Sequence, residues 1–251
     1  RRGSSDAAGL RGRSGVRRGP GGVPEAHGLT APTARRALHR LELTRRATRQ
    51  SQHPWQAPVP SASGRAFDAL ASLAARRFGR AAEEGHLVLD SGCGTGESTL
   101  TLAARYPDAL VVGADKSAAR LARGPMCRWS DNAVVLRIDA GHLWRLAAAA
   151  GWRCRTHYLL YPNPWPKPAQ LSRRWYGHPA WPELLHLGGR LVARSNTRAY
   201  LEGLAWRLDD EGLSSKLVPL TPDGPALTPF ERKYAARGEA LFELTAQLGS
   251  R

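Results

Sequence analysis

Short apolar runs and segments of helical spacing take turns along most of this chain. Strands are predicted at 87–90, 109–115, 133–138, 156–161 and 190–195, where apolar residues run unbroken for several positions. Helices are predicted between and after them, at 98–106, 117–123, 141–150, 178–187 and 197–211. Two more strand-like pieces lie near 215–220 and 240–247. Strict alternation of this kind specifies an α/β fold, an open sheet with helices on both faces. Upstream, Arg65 to Arg80 sets Phe67, Leu70, Leu73, Ala74 and Phe78 at helical spacing. Residues 33–50 predict a basic helix with a short Leu38/Leu41 stripe, lying on the domain, on RNA or with a solvated face. The stretch 51–64 is a Pro- and Ser-rich linker. Residues 1 to about 32 carry almost no large apolar side chains and are expected to be disordered, since little burial offsets the entropy of ordering them. The expected organisation is a basic leader over 1–53 and one folded domain over 54–251.

In an open α/β sheet, ligands sit outside the C-terminal ends of the strands. Asp90, Asp115, Asp139 and Asn163 all fall at such ends and are expected to line one crevice. The first strand runs into LVLDSGCGTGES, with Gly92, Gly94 and Gly96 at alternate positions after Asp90. Such glycines provide positive φ and let a ligand approach bare backbone. A dinucleotide fingerprint would place a third glycine at 97, but that residue is Glu97. A pyrophosphate there would meet two carboxylates, Asp90 and Glu97, whereas helix N-termini that bind phosphate are free of them. A cationic ligand suits the site better, and S-adenosylmethionine carries a sulfonium and an ammonium beside one carboxylate. Asp115 ends the next strand about 20 residues on, where a carboxylate holds ribose hydroxyls. The stretch resembles the first motif of class I S-adenosylmethionine-dependent methyltransferases, which have a Rossmann-like sheet.

Charge narrows the partner. The chain has 251 residues and a formal net charge of +16. Residues 1–53 hold 12 arginines and 3 acids, a net +9, so the remainder still carries +7. A basic body of this kind is drawn to polyanions with salt-dependent affinity. The leader itself reads as an RNA tether, as the compositional habit of an arginine-rich proteome, or as an organelle transit peptide. Cys93, Cys127 and Cys154 lack metal-ligand spacing and suit a reducing compartment, with Cys93 filling the tight turn or offering a thiol. The scattered histidines predict neither a metal site nor a nucleophilic triad. No apolar run approaches the length of a membrane span. A cytoplasmic, monomeric, metal-free protein is expected.

A second constellation follows the fourth strand: YPNPWPKPAQLSRRWYGHPAW, residues 161–181. Its five prolines predict a rigid, non-helical loop where substrate would enter. Lys167, Arg173 and Arg174 are suited to phosphates, and Tyr161, Trp165, Trp175, Tyr176 and Trp181 to stacking on a splayed base or to packing the loop. YPNPWPK followed by Arg173-Arg174 resembles the PDPWPK…RR loop of bacterial tRNA (guanine-N7)-methyltransferases. Arg194-Ser195-Asn196-Thr197 stands where that family has a T-D-W element, and TPFERKYAARGEALFEL is similar to its T-x-F-E-R…G…W-D-L tail. The resemblance covers roughly residues 65–248.

What the resemblance implies is methyl transfer from S-adenosylmethionine to N7 of a guanine in the tRNA variable loop. Asp90, Asp115 and Asp139 would hold the cofactor with the glycine loop. Lys167, Arg173, Arg174, Asn196 and the segment with Thr228, Phe230 and Glu231 would contact the RNA, and Asn163 would occupy the active-site position. Two departures stand out, because the family has aspartate where this chain has Asn163 and Asn196. Guanine N7 offers an in-plane lone pair and needs no deprotonation, so alignment matters more than a general base. The loss of carboxylate is expected to weaken or alter base preference rather than abolish transfer. Two other readings remain open at this point: a catalytically weak tRNA-binding paralogue, and a methyltransferase acting on another RNA base or an amine.

Overall fold

The computed structural model describes residues 31–53, 55–124, 131–221 and 224–249. Residues 1–30 of the expected leader and Cys127 lie outside the described residues, and the rest of the 1–53 leader is helical through Gln52. Before the sheet come α1 (Ala31–Gln52) and α2 (Ser61–Phe78). Then follow β1 (Leu87–Ser91), α3 (Glu97–Arg105), β2 (Leu110–Asp115), α4 (Ala118–Leu121), β3 (Ala133–Arg137), α5 (Ala140–Ala149) and β4 (Cys154–Leu160). The chain continues with α6 (Trp181–Leu187), β5 (Gly189–Ser195), α7 (Arg198–Asp210), β6 (Ser215–Pro219), α8 (Pro229–Ala236) and β7 (Phe242–Leu248). Each predicted strand and helix from Leu87 to residue 211 is present, with ends moved by a few residues.

The seven strands take the order β3-β2-β1-β4-β5-β7-β6. The first five pair in parallel. β7 runs antiparallel to both β5 and β6 and lies between them. Strands β1 and β2 are buried at every position, and successive side chains point to opposite faces as the pleat requires. Leu87 and Leu89 join Leu110 and Val112 in a cluster that includes Leu70 of α2, Trp144 of α5, Leu184 of α6 and Leu204 of α7. Val88 and Val111 face the other way, onto Leu102 and Ala103 of α3. The central strands are thus covered on both faces, and their free ends carry the acids.

Helix α1 is held to the domain by a residue outside the stripe read from its sequence. Leu38 and Leu41 are 67% and 48% exposed, whereas Leu43 is fully buried in the core. Burying one leucine contributes ~1.5–3 kcal/mol, more than the exposed Arg40–Asp209 pair at 2.7 Å. Farther along the helix, Gln50 accepts a hydrogen bond from Arg207 of α7 (3.1 Å) and donates to the His178 carbonyl (3.0 Å).

Candidate active site

The glycine turn closes onto the first two strand ends. Gly92, Gly94 and Gly96 have φ of 82°, 62° and 83°, the left-handed region that other residues rarely enter. Asp90 is buried, and its Oδ2 accepts from the hydroxyls of Ser98 (2.6 Å) and Thr99 (2.8 Å) on α3. Its Oδ1 is buried with no partner. Burial pushes this carboxyl up to about 6, and the charge of Asp115 adds to the rise while the two hydroxyls oppose it. Gly113 of β2 makes room for the hydroxyl contact, since a Cβ there would stand 2.2 Å from Thr99 Oγ1.

Asp115 ties the turn to β2: Oδ2 accepts from the Gly94 N–H (3.0 Å), and Oδ1 accepts from Ser117 N–H (2.8 Å) and faces Arg120 at 3.1 Å. Asp139 caps α5 by accepting from Gly141 N–H (3.0 Å) and pairs with Lys116 at 3.4 Å. Lys116 and Arg120 follow the strand-end acid by one and five positions, a spacing that carries no sequence signature of its own.

The proline loop meets the cleft beside Asp139 and Asn163. Asp90 and Asp115, expected in the same crevice, are buried at 1% and 3% exposure and do not line it, because their oxygens are turned to the hydroxyls of α3 and to the backbone of the turn. A cavity of about 520 Å³ is lined by Gly92, Lys116, Asp139, Asn163, Arg173 and Trp175, among others. Asn163 is exposed at its edge, and its Oδ1 accepts from the Trp165 N–H at 3.1 Å. That bond engages the amide oxygen, so the nitrogen is the donor end of the side chain. Tyr161 and Trp165 on either side have φ of 50° and 43°, the two positive values among described non-glycine residues. Backbone held this way clusters at functional sites. Arg173 lies over the Trp165 ring at 4.8 Å, a cation on an aromatic face.

Some expected contacts are arranged differently. The loop is not free of helix: Pro168–Arg173 and Trp175–Gly177 form short 3-10 turns, because Pro168 at the first turn has a suitable φ and no N–H to satisfy. Arg174 is buried and turned away from the cavity, donating to the Trp165 carbonyl and to Tyr176. Tyr176 and Trp181 belong to the core, while Tyr161, Trp165 and Trp175 border the cavity. Lys167 is exposed on the loop, and its backbone N–H donates to Gln170. Asn196 donates to Glu239 at 3.1 Å.

A second cavity of about 350 Å³ adjoins the first, sharing Gly92, Arg120 and Tyr161. Arg123, Thr228 and the half-exposed Phe230 also line it. Thr228 caps α8 by accepting from Glu231 N–H (3.0 Å). Glu231 itself is only 2% exposed. It accepts from Arg194 (3.0 Å), from the Tyr161 hydroxyl (3.1 Å) and from Leu227 N–H (3.4 Å), and so acts on the cavity through Tyr161. Burial, with the Glu231 carboxylate adding to it, raises the Tyr161 phenol. Burial works to lower the Arg194 guanidinium, but Glu231 and Glu243 overcome it and hold it above its ordinary range. Neither Arg174 nor Glu231 carries a local sequence sign of burial, because both read as members of charged runs.

Residues 84–244 match the family model described as a putative methyltransferase. A tRNA (guanine-N(7)-)-methyltransferase of Syntrophotalea carbinolica is 30% identical over 62% of this chain and 71% of its own length. One from Anaeromyxobacter dehalogenans is 33% identical over 67% of this chain and 87% of its own. The chain belongs to the tRNA (guanine-N7)-methyltransferase family. A further member, from Halorhodospira halophila, is 30% identical over 68% of this chain and 77% of its own. The family-matched segment begins after α2, so α1 and α2 lie outside it.

The cleft can be tested against the cofactor of class I methyltransferases. An acid with one unpartnered buried oxygen, a turn that tolerates only glycine, and two further carboxylates at neighbouring strand ends suit a ligand bearing cations and hydroxyls. Arg120 and Lys116, paired with Asp115 and Asp139, also line the cavity and have the charge that its carboxylate would require. These residues fit S-adenosylmethionine. Among the described residues, no group of three His, Cys, Asp or Glu is placed to hold a metal ion, and no helix is long and apolar enough to cross a membrane.

Proposed function

We infer that this protein transfers a methyl group from S-adenosylmethionine to N7 of a guanine in tRNA, with the variable-loop guanine as target. The observation that carries this reading is the shared 520 Å³ cavity, which brings the glycine turn and Asp139 together with Asn163, Trp165 and Arg173. Asp90, Asp115, Asp139 and the backbone of Gly92–Gly96 are the residues to hold the cofactor, which when bound supplies an electrophilic methyl on a sulfonium. Asn163 orients the base beside it. Arg173 and Lys167 neutralise phosphate, and Trp165 and Trp175 offer faces for stacking, worth ~1–3 kcal/mol per base. Phe230 and Thr228 border the adjoining cavity and are assigned to the same RNA, as is Asn196. Arg174 and Glu231 serve it indirectly, by fixing Trp165 and Tyr161.

No residue needs to remove a proton, because N7 carries a free lone pair in the plane of the ring. The chain's task is to hold that lone pair in line and to keep water out. With its oxygen engaged by the Trp165 N–H, Asn163 presents donor hydrogens rather than a charge. An aspartate would keep the same cap with one oxygen and turn a carboxylate toward the base. Hydrogen bonds to charged groups contribute ~1.5–3 kcal/mol against ~0.5–1.5 for neutral ones. Asn163→Asp is therefore expected to raise kcat/KM roughly fivefold without lowering Tm; an equal or lower kcat/KM would remove the charge argument.

The deciding experiment is incubation with methyl-labelled S-adenosylmethionine and an unmodified tRNA transcript, followed by chemical cleavage at N7-methylguanine. Label with cleavage at a variable-loop guanine is the expected result. Label without cleavage would assign another atom or base, and bound tRNA without label would assign a binding protein.

A further inference from the structure

We propose that His39, acting through Arg174, is a positioning residue for the loop that carries Asn163. Helix α1 is then a working part of the active site although it lies outside the family-matched segment. The inference rests on that loop being the substrate-bearing one.

A continuous line of hydrogen bonds joins the helix to the site. His39 Nε2 meets Arg174 NH1 at 3.1 Å. Arg174 spends its Nε (3.0 Å) and second terminal nitrogen (2.8 Å) on the Trp165 carbonyl, and NH1 also reaches the Tyr176 hydroxyl at 3.0 Å. The Trp165 N–H then donates to Asn163 Oδ1 at 3.1 Å. One residue, Trp165, is thus gripped at its carbonyl oxygen by the guanidinium and at its backbone nitrogen by the side chain expected to touch the base. The same residue carries positive φ and the cation of Arg173 on its ring. A non-glycine residue keeps such a backbone only where its surroundings over-determine it.

Arg174 has no lone pair to give, so the bond to His39 exists only if the imidazole accepts at Nε2. The ring is kept in place edge-on to Tyr176 and Trp206, with centroids 6.4 and 6.1 Å away. Leu43, one turn along the helix, anchors the backbone that carries it. The proline loop, α1 and α7 together border a cleft of about 720 Å³, and both His39 and Arg174 line it. Contacts of this kind across an open cleft decide where the loop rests. A histidine that merely packed there would need no acceptor nitrogen.

The requirement for an acceptor provides the test. In the full chain, His39→Ala removes the acceptor, and His39→Gln restores one at its amide oxygen. Steady-state kinetics on tRNA, thermal unfolding, and amide hydrogen exchange of peptides spanning 161–167 are measured for both. His39→Ala is expected to lower kcat about tenfold, as a small misplacement of a reacting group does, while KM for S-adenosylmethionine stays within about twofold. Exchange at 163–167 should quicken in His39→Ala and return to wild type in His39→Gln. Unchanged kcat and exchange in His39→Ala would overturn the proposal, and so would a His39→Gln protein as impaired as His39→Ala. If the wild-type protein transfers no methyl to tRNA, the exchange measurements still decide the bridge. His39-dependent exchange in that case would fault the substrate assignment and leave the bridge standing.

Discussion

Replacing Glu231 with alanine is expected to cost about 3–5 kcal/mol of stability, the usual loss when one partner of a buried ion pair is removed. The carboxylate is 2% exposed and accepts from three groups on three parts of the chain. Without it, Arg194 of β5 keeps only Glu243 at 2.8 Å, and its guanidinium, 14% exposed, is left partly uncompensated. The Tyr161 hydroxyl and the Leu227 N–H lose their acceptor as well. For a domain of this size, Tm should fall by roughly 6–20 °C. Glu231→Gln keeps an acceptor oxygen, loses only the charge, and is expected to fall between wild type and alanine. Thermal unfolding of the three proteins checks this; a loss under about 1 kcal/mol in alanine would place the network among exposed pairs of little consequence. The activity consequence follows from Tyr161, which borders both cavities.

Asp90→Asn is expected to weaken cofactor binding by about 10- to 100-fold and to abolish its pH dependence between 5 and 7. The sign follows from Asp90's folded value of about 6 against an ordinary 3.8. Because folding raises it, this group's contribution to stability is full below 3.8 and is lost as pH rises through 6. At pH 7 the free protein therefore carries a buried charge that costs roughly 3 kcal/mol. A cationic ligand favours that charged form. Binding should then release a proton near pH 6, and affinity at pH 5 should be about tenfold below its plateau at pH 8. Calorimetry in buffers of different ionisation enthalpy reads both quantities. Asp90→Asn should fold at least as stably as wild type at pH 7, since the burial penalty goes with the charge. A pH-independent wild-type affinity would mean that Asp90 does not sense the ligand.

His157 acts on the acid side in the opposite sense. It is fully buried on β4, bonded to Ser91 at 2.8 Å, and burial pushes its imidazole down to about 3. A histidine lowered from 6.5 contributes stability that is complete above 6.5 and is lost as pH falls toward 3. The two effects overlap between about pH 4 and 6, and the longer span belongs to His157. Acid unfolding should therefore shift to lower pH in His157→Leu, which removes the group that must charge on unfolding. A titration followed by circular dichroism checks the direction.

The central architecture was legible because its signals are local. LVL and LVVGA are unbroken by charge since both faces of those strands are covered, and the acid that follows each run marks the rim where ligands sit in open α/β sheets. Gly92, Gly94 and Gly96 advertise a turn whose φ values no other residue takes readily. The proline spacing of 162–168 likewise marks a stiff loop at the strand end. Against this, the pattern at 215–220 and 240–247 read as strands without giving their order. That β7 inserts antiparallel between β5 and β6 depends on which edge is left open, a property of the sheet and not of any window of sequence.

Side-chain direction was the other matter decided only in three dimensions. Arg173 and Arg174 are neighbours of one type, yet the first lies on the Trp165 ring at the cavity and the second is buried beneath the loop. Glu231 reads as part of the charged run ERK, but closure of α8 over β5 encloses it with Arg194. Leu38 and Leu41 present the obvious stripe of α1, whereas Leu43 is the residue that α7 and the core receive. Periodicity and residue type determined by themselves where the strands end, which acids stand at those ends, and that a stiff basic loop follows the fourth strand. Which of those cations and carboxylates face substrate and which brace the loop depended on long-range packing, because burial selects a partner from elements far away in the chain.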